Sequence, residues 1–243
     1  MKLTFLGTKG YIDHSSRRHR LHASLLVSYQ GRQVMVDCGT TWQKKKYEIN
    51  PGAIVLTHFH PDHAGGLIDG APCAVYATGQ GWDKVKDQEG FSSIEKRTLA
   101  MESPETIKGI TFEAFPLLHS TRAPAVGYRI TAGRVTIFYA PDVVYIESRN
   151  KALKDVRVYI GDGATVTRSM VRKPNDTLIG HTPVQTQLTW CGKEQVPEMI
   201  ITHCGSEIVA SDERKLGAKL RKMAAERGVK VQIAHDGMEK VLR

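Results

Sequence analysis

The segment AIVLTHFHPDHAGG, in the first third of the chain, constrains the fold more than any other stretch of the sequence. Its aliphatic, β-branched beginning predicts a buried strand. His58 and His60 are two positions apart, so on extended backbone their rings project to the same side. Pro61 restricts its own φ and turns the chain, which brings Asp62 and His63 round to a neighbouring point in space. Four ligand-type side chains are therefore predicted at one strand end.

These donors point to metal chemistry. A single histidine is usually a hydrogen-bonded core residue, but that explanation is weak for three imidazoles and a carboxylate within six residues. Their joint burial carries a desolvation cost that metal coordination offsets. We therefore expect two adjacent metal sites, one for each half of the motif. The two glycines that follow allow a tight bend into a helix.

Short apolar runs with Gly, Pro and Asp boundaries predict strands throughout the chain. The predicted strands cover residues 2–6, 24–29, 33–37, 53–57, 74–77, 111–116, 126–130, 135–140, 156–160, 199–202 and 229–234. The clearest predicted helix covers 211–227, with Ser211 as N-cap and Gly228 after its end. Two others are predicted at 183–190 and from 66–68 onward. Since no low-complexity linker divides the chain, we expect one α/β domain over 1–243, with two packed sheets and outer helices.

Composition limits the class of protein. With 243 residues, 41% hydrophobic and 24% charged, the chain matches a globular domain. No apolar run approaches the ~18 residues of a membrane-spanning helix, and the N-terminus lacks a secretory signal pattern. The four cysteines form no C-x-x-C pair, so neither a disulfide framework nor a cysteine zinc site is indicated. We therefore expect a cytoplasmic protein without membrane association.

The chain is basic, with 34 Lys and Arg against 25 Asp and Glu, a net charge of +9. Such a charge attracts phosphate-bearing partners, although it also arises from a solvated surface. A basic cluster follows the first glycine turn and, with the lysines at 44–46, could bind substrate phosphates: Arg17, Arg18, His19, Arg20 and His22. A solvated loop is the alternative.

The H-x-H-x-D-H run after a strand resembles the hallmark of the metallo-β-lactamase superfamily, and the resemblance extends over almost the whole chain. It implies an αββα sandwich of two mixed β-sheets with outer helices and a two-metal site on the rim between the sheets. It also implies a set of metal ligands: His58, His60 and His119 for the first metal, Asp62, His63 and His203 for the second, and Asp142 bridging the two.

The last three implied ligands each follow a predicted strand. His119 ends the strand before HSTRAPAVGYRI, Asp142 follows TIFYAP, and His203 follows MIIT. Strand ends hold such residues rigidly enough to converge. Imidazole and carboxylate donors favour Zn²⁺, and Mn²⁺ or Fe²⁺ remain alternatives.

A paired-metal site indicates hydrolysis. Paired divalent metals lower the pKa of water towards ~7 and leave about one positive charge for an anionic substrate. HSTRAPAVGYRI, LIGHTPVQ and VYIGDGATV resemble motifs of ribonuclease Z and of the phosphoribosyl cyclic phosphodiesterases. That resemblance implies that His181 lies near a scissile phosphate, oriented by Asp162, with Asp62 also in the catalytic set. Asp162 could instead cap the turn before Gly163, and His181 could satisfy a loop carbonyl.

Three further features bear on the site. Asp37, in MVDCGT, resembles the aspartate that orients a metal-binding histidine; capping the next turn is the alternative. Gly7, Thr8 and Gly10 predict a turn through which backbone approaches the site. His235 is not assigned to metal.

The favoured function is a metal-dependent phosphodiesterase acting on a nucleotide-like or cyclic phosphate substrate. A carboxylic ester, lactone or thioester hydrolase is the second hypothesis. The third, from another class, is a basic nucleic-acid-binding protein on the same scaffold. The chain lacks both the long glycine-rich arm of ribonuclease Z and the cysteine-rich zinc site of the phosphonate-breakdown enzymes, so neither family's own substrate follows. Nucleic acid and a second copy of the chain stay open as partners.

Overall fold

The computed structural model describes all residues from 1 to 243. It contains fifteen strands, eleven of which coincide with the apolar runs of the sequence. The strands are β1 (Lys2–Gly7), β2 (Ser24–Tyr29), β3 (Arg32–Val36), β4 (Ala53–Val55), β5 (Val75–Thr78), β6 (Lys96–Leu99), β7 (Glu105–Ile107), β8 (Ile110–Leu118), β9 (Ala125–Ala132), β10 (Val135–Ala140), β11 (Tyr145–Ile146), β12 (Val158–Asp162), β13 (Glu198–Thr202), β14 (Lys230–Ile233) and β15 (Met238–Val241).

Seven α-helices connect these strands. They are α1 (Lys46–Ile49), α2 (Pro61–Ala64), α3 (Gly79–Val85), α4 (Arg149–Ala152), α5 (Val184–Lys193), α6 (Ser206–Val209) and α7 (Glu213–Ala225). None of them combines the length and apolarity needed to cross a lipid bilayer.

The strands form two mixed sheets. The first has the order β15-β1-β2-β3-β4-β5-β6, and the second has β11-β8-β9-β10-β12-β13-β14 with β7 added beside β8. In each sheet one half is antiparallel and the other half is parallel; the parallel half runs from β3 to β6 in the first sheet and from β10 to β14 in the second.

Three apolar clusters separate four layers. The central cluster joins residues of both sheets, such as Phe5 and Ile137. A second cluster packs α5 and α7 on the outer face of the second sheet through Leu188 and Leu220. The third packs α3 on the first sheet through Trp82. The predicted αββα sandwich of two mixed sheets is therefore confirmed.

The arrangement of the strands explains where polar side chains gather. The carboxyl ends of β3, β4, β8, β10, β12 and β13 lie along one rim of the sandwich, and loops leave the sheets there. Loops at such an edge are held by rigid strands and can bring distant residues together.

Two predicted helices differ from the structure. The helix expected from 66–68 onward instead begins at Pro61, whose fixed φ suits a first helical position, and it ends after one turn. The last helix begins at Glu213, with Asp212 as N-cap accepting from two backbone N–H groups. Ser211 is not the cap because its hydroxyl donates to Ile208 at the end of α6. Four strands were not predicted: β6, β7, β11 and β15, the last of which pairs with β1.

Candidate metal centre

Seven histidine and aspartate side chains meet at this rim. They come from the ends of β4, β8, β10 and β13 and from α2. Within each of three overlapping groups, the ligand-type atoms all lie within 4.8 Å of one another. The groups are His58, His60 and His119; His58, His63 and Asp142; and Asp62, His63 and His203.

The first group consists of histidines alone. Nδ1 of His60 lies 3.0 Å from Nε2 of His58 and 3.3 Å from Nε2 of His119. Nδ1 of His119 donates to the Gly180 carbonyl oxygen at 3.0 Å, which leaves its Nε2 lone pair facing the other two rings. Three ring nitrogens at these separations match the spacing of donors around one tetrahedral cation.

The group of Asp62, His63 and His203 combines one carboxylate with two imidazoles. Oδ2 of Asp62 lies 3.1 Å from Nε2 of His203 and 3.3 Å from Nε2 of His63. Oδ2 of Asp142 lies 2.7 Å from His63 Nε2, while its Oδ1 lies 3.6 Å from His119 Nε2. Asp142 therefore stands between the two groups, the position that a bridging ligand requires.

Burial and charge divide the histidines into two kinds. Burial, with the neighbouring His119, lowers the pKa of His60 to about 4, and burial likewise lowers the pKa of His58. For His203, burial opposes protonation, but the charge of Asp142 and bonds to other carboxylates outweigh it and raise its pKa to about 10. The pKa of His63 is raised for the same reason. The clustered carboxylates thus favour positive charge at His63 and His203, which a bound cation would also supply.

The donor set fits divalent metal. Nε2 of His63 and Oδ2 of Asp142 are buried and lie 2.7 Å apart, but neither is aligned for a hydrogen bond to the other or to any other group. Such atoms are costly to bury unless another group satisfies them. Imidazole nitrogens and carboxylate oxygens are the donors that Zn²⁺ and similar ions take up.

Asp37 supports the cluster from behind. Its Oδ2 accepts from Nδ1 of His63 at 2.9 Å, and its carboxylate also accepts from the backbone N–H and hydroxyl of Thr57. Burial raises the pKa of Asp37, although His63 and these bonds oppose that shift. The contact fixes the ring of His63 with Nε2 towards the cluster.

His181 and Asp162 form a pair beside the cluster. Nδ1 of His181 donates to Oδ2 of Asp162 at 2.7 Å and lies 3.5 Å from Oδ1 of Asp142. Asp162 is buried and also accepts from the backbone N–H groups of Val143 and Ala164. Burial opposes protonation of His181, but the charge and hydrogen bond of Asp162 outweigh it and raise the pKa of His181.

A cavity of about 670 Å³ opens onto the cluster. His60, Asp62, His119, Asp142, His181 and His203 all line it. Gly10 lines it from the first loop, and a Cβ there would lie 3.1 Å from the His203 ring, so glycine allows the close backbone approach that the sequence predicts. The exposed ring of Tyr11 lies at the same mouth.

The structure does not bring the predicted basic cluster into this cavity. Arg18 pairs with Glu213 of α7 at 2.8 Å, and Arg17 lines a separate depression beside that helix. The backbone N–H of Arg20 donates to Asp236, the residue after His235, and its side chain does not line the cavity. Arg17 and Arg18 therefore lie beside the start of α7, and Arg20 beside the turn after β14, because the carboxylates of Glu213 and Asp236 hold their loop there.

Lys46 also departs from expectation. Its side chain is fully buried, and its ammonium donates to the Gly66 carbonyl at 2.8 Å and to Asp69 at 2.6 Å. It ties α1 to the turn that follows the H-x-H-x-D-H motif and cannot reach a substrate.

Sequence reasoning missed one buried polar residue near the site and expected another in the phosphate-binding basic cluster. Gln187 of α5 bonds the backbone of Asp162 and of Thr182, the residue after His181. His22 is buried, and burial lowers its pKa to about 4. The charges of Asp62, His63 and His203 also act on this ring. The position of Gln187 on the buried face of α5 was the available signal for the first. His22 was expected to bind phosphate with its basic neighbours, but its ring is buried.

Known proteins similar to this chain carry the same fold. A family model described as the beta-lactamase superfamily domain matches residues 32–204. A ribonuclease Z of Methanopyrus kandleri is 27% identical over 147 residues, covering 55% of this chain and 51% of that protein. The chain thus spans about half the length of this relative.

Two solved structures show how far the fold extends. The metallo-beta-lactamase fold protein YhfI from Bacillus subtilis superposes with a TM-score of 0.77 at 18% identity, covering 98% of each chain. A diphosphatase from the PhnP family superposes with a TM-score of 0.73 at 19% identity, covering 100% of this chain and 98% of its own. The matched family domain contains all seven clustered histidines and aspartates, and the chain belongs to the beta-lactamase superfamily.

Proposed function

We propose that the chain is a metal-dependent phosphodiesterase that acts on a nucleotide-like or cyclic phosphate substrate. The observation that carries the proposal is the His181–Asp162 pair, 2.7 Å apart at the edge of the metal cluster and on the wall of its cavity. The similarity to ribonuclease Z and to a diphosphatase is consistent with this substrate class.

The seven clustered side chains are proposed to hold two divalent cations. His58, His60 and His119 would hold the first, Asp62, His63 and His203 the second, and Asp142 both. When bound, two such cations supply a nucleophile from water near neutral pH and neutralise developing negative charge. Zn²⁺ suits the donors, and Mn²⁺ and Fe²⁺ use the same types.

His181 has the role of general acid or phosphate-binding group. Asp162 holds its Nδ1 proton, which leaves the Nε2 edge of a ring that is one-fifth exposed to face the substrate. A protonated imidazole can donate to an alkoxide leaving group or to a phosphate oxygen. The raised pKa keeps this proton available near neutrality. Asp62 lies across the cluster from His181, where its carboxylate contacts His63 and His203 and fixes the positions of their rings.

A substrate panel tests the proposal. The purified chain, loaded in turn with Zn²⁺, Mn²⁺ and Fe²⁺, is assayed on bis(p-nitrophenyl) phosphate, a p-nitrophenyl acyl ester, a lactone and a thioester. We expect diester cleavage that chelation abolishes and metal restores, and that is absent from D142A prepared in parallel. Turnover of acyl substrates alone would contradict the phosphodiesterase assignment, as would salt-dependent RNA binding without any metal-dependent turnover.

A further inference from the structure

We propose that residues 167–180, here named the arginine flap, form a second anion-binding subsite that holds a phosphate of the substrate other than the one that is cleaved. The inference rests on the proposed function, because the second phosphate is defined by its place beside the scissile one. It narrows the substrate to a molecule with at least two phosphate groups.

The flap is a short hairpin. The backbone N–H and carbonyl of Arg172 bond those of Ile179 at 2.9 Å in both directions, and Met170 N–H donates to the carbonyl of His181. Both ends of the flap are therefore joined by backbone hydrogen bonds, and its tip, residues 173–177, is exposed to solvent.

The base of the flap is tied to the metal cluster. Gly180 N–H donates to the His119 carbonyl at 2.9 Å, and His119 Nδ1 donates back to the Gly180 carbonyl at 3.0 Å. Gly180 has φ +107°, and a Cβ there would lie 2.2 Å from the Met170 carbonyl oxygen. Only glycine allows the backbone at residue 180 to pack this closely against Met170, so the flap has a defined position beside His119.

A second cavity of about 470 Å³ lies between the flap and the cluster. It shares His60, His119 and His181 with the first cavity, and Arg168 lines both. Arg172, Ser169 and Ser120 complete its polar lining, and neither an aspartate nor a glutamate lines it. An anion in this cavity would thus be adjacent to one bound at the metal cluster.

The two arginines are free to bind such an anion. Lys173, the third cation of the flap, pairs with Asp176 at 2.9 Å. The guanidinium groups of Arg168 and Arg172 form neither a salt bridge nor a hydrogen bond within the protein, unlike that of Arg18. Guanidinium donors match phosphate oxygens in a two-pronged geometry.

Glu207, a glutamate of the first cavity, does not pair with these arginines. Glu207 lines the first cavity but not the second, and its carboxylate accepts from the backbone N–H of Val166. That bond holds the chain just before the flap. The second cavity therefore carries uncompensated positive charge, which favours a phosphate over a neutral group.

Equilibrium binding of matched dinucleotides tests the subsite. The metal-loaded full chain is titrated with fluorescent diadenylates whose internucleotide link is a non-cleavable methylenephosphonate, either without a terminal phosphate or with one at the 5′ or the 3′ end. We expect one terminal phosphate to tighten binding about tenfold, as a charge-assisted contact does. The affinity ratio is the affinity for a diadenylate with a terminal phosphate divided by the affinity for the one without. In R168Q/R172Q this ratio should fall to near one. R134Q/R221Q removes the same charge from exposed positions away from the site and should retain the wild-type ratio.

The outcomes separate this inference from the proposed function. A wild-type ratio near one for both terminal phosphates would overturn the subsite, and so would an equal loss of the ratio in R134Q/R221Q. Collapse of the ratio only in R168Q/R172Q supports it. The same wild-type preparation is assayed on bis(p-nitrophenyl) phosphate: if this diester is not cleaved while the ratio depends on the flap, the phosphodiesterase proposal fails and the anion subsite stands.

Discussion

The side-chain amide of Gln187 brackets the backbone of Asp162: its Oε1 accepts from the Asp162 N–H at 2.9 Å, and its Nε2 donates to the Asp162 carbonyl at 2.7 Å. The same Nε2 donates to the Thr182 carbonyl, and Tyr159 donates its hydroxyl proton to Oε1. One buried amide therefore aligns the strand that carries Asp162 with the residue that follows His181.

Replacement of the Gln187 amide should destabilise the region that holds Asp162 and His181 together. Gln187→Met leaves several buried backbone groups without partners, each at a cost of about 1–3 kcal/mol. We expect the free energy of unfolding to fall by roughly 2–5 kcal/mol and kcat on the diester to fall while metal content is kept. Gln185→Met, at an exposed position of the same helix, should change stability by less than about 0.5 kcal/mol. Urea unfolding that is equal for both variants would show that the amide does not stabilise this region.

His181 should act without holding metal. His181→Ala is expected to retain both metal ions per chain, measured by elemental analysis, while kcat on the diester falls by about 10²–10⁴-fold. His14→Ala, at an exposed position, provides the control. His181 also forms ligand-type groups with His119 and Asp142 and with Asp162 and His203. Loss of a metal ion from H181A would therefore mean that His181 is a ligand.

Asp142 should be needed by both metal sites. Its two oxygens lie 2.7 Å from His63 and 3.6 Å from His119, so Asp142→Ala removes a donor from each group. We expect at most one metal ion per chain and no turnover. Asp176→Ala, in the flap tip, removes the same charge from an exposed side chain and should keep full occupancy. Two bound ions and wild-type activity in D142A would refute the bridging role.

The stability of the fold should depend on pH through His19. The ring is buried, with Nδ1 bonded to Thr8 at 2.8 Å, and burial lowers its pKa although Glu213 and Asp236 oppose the shift. A lowered pKa means that the unfolded chain takes up the proton first. The neutral His19 ring therefore contributes its full stabilisation above the pKa of the unfolded chain, ~6.5. This contribution is lost as pH falls from there through the lower pKa of the folded protein.

His19→Gln removes this titration. In urea unfolding of the metal-free chain, the loss of stability between pH 7 and pH 5 should be smaller in H19Q than in the wild type. The cluster histidines titrate in both proteins, so their effect cancels in the comparison. His14→Gln should match the wild type, because its side chain is exposed. An unchanged pH dependence in H19Q would exclude the buried ring as a source of acid sensitivity.

The local part of the site was predictable because it is encoded in consecutive residues. The strand before His58 and the turn at Pro61 depend on short-range backbone preferences, and four of the seven clustered side chains lie within six residues. The three distant members, His119, Asp142 and His203, were recognised only jointly, through strand ends and family resemblance. The strand pattern predicted two packed sheets with outer helices, and the family resemblance supplied the αββα sandwich.

Contacts between distant segments decided the rest. A basic run has the same composition whether it binds phosphate or carboxylate, and only packing placed Arg18 against Glu213 and buried Lys46 against Asp69. Gln187 resembles any helical glutamine until three buried backbone groups face it. The sequence by itself determined the donor types and the strand ends that carry them; the tertiary structure decided which charges stay unpaired at the cavity, because pairing depends on spatial neighbours that chain order does not specify.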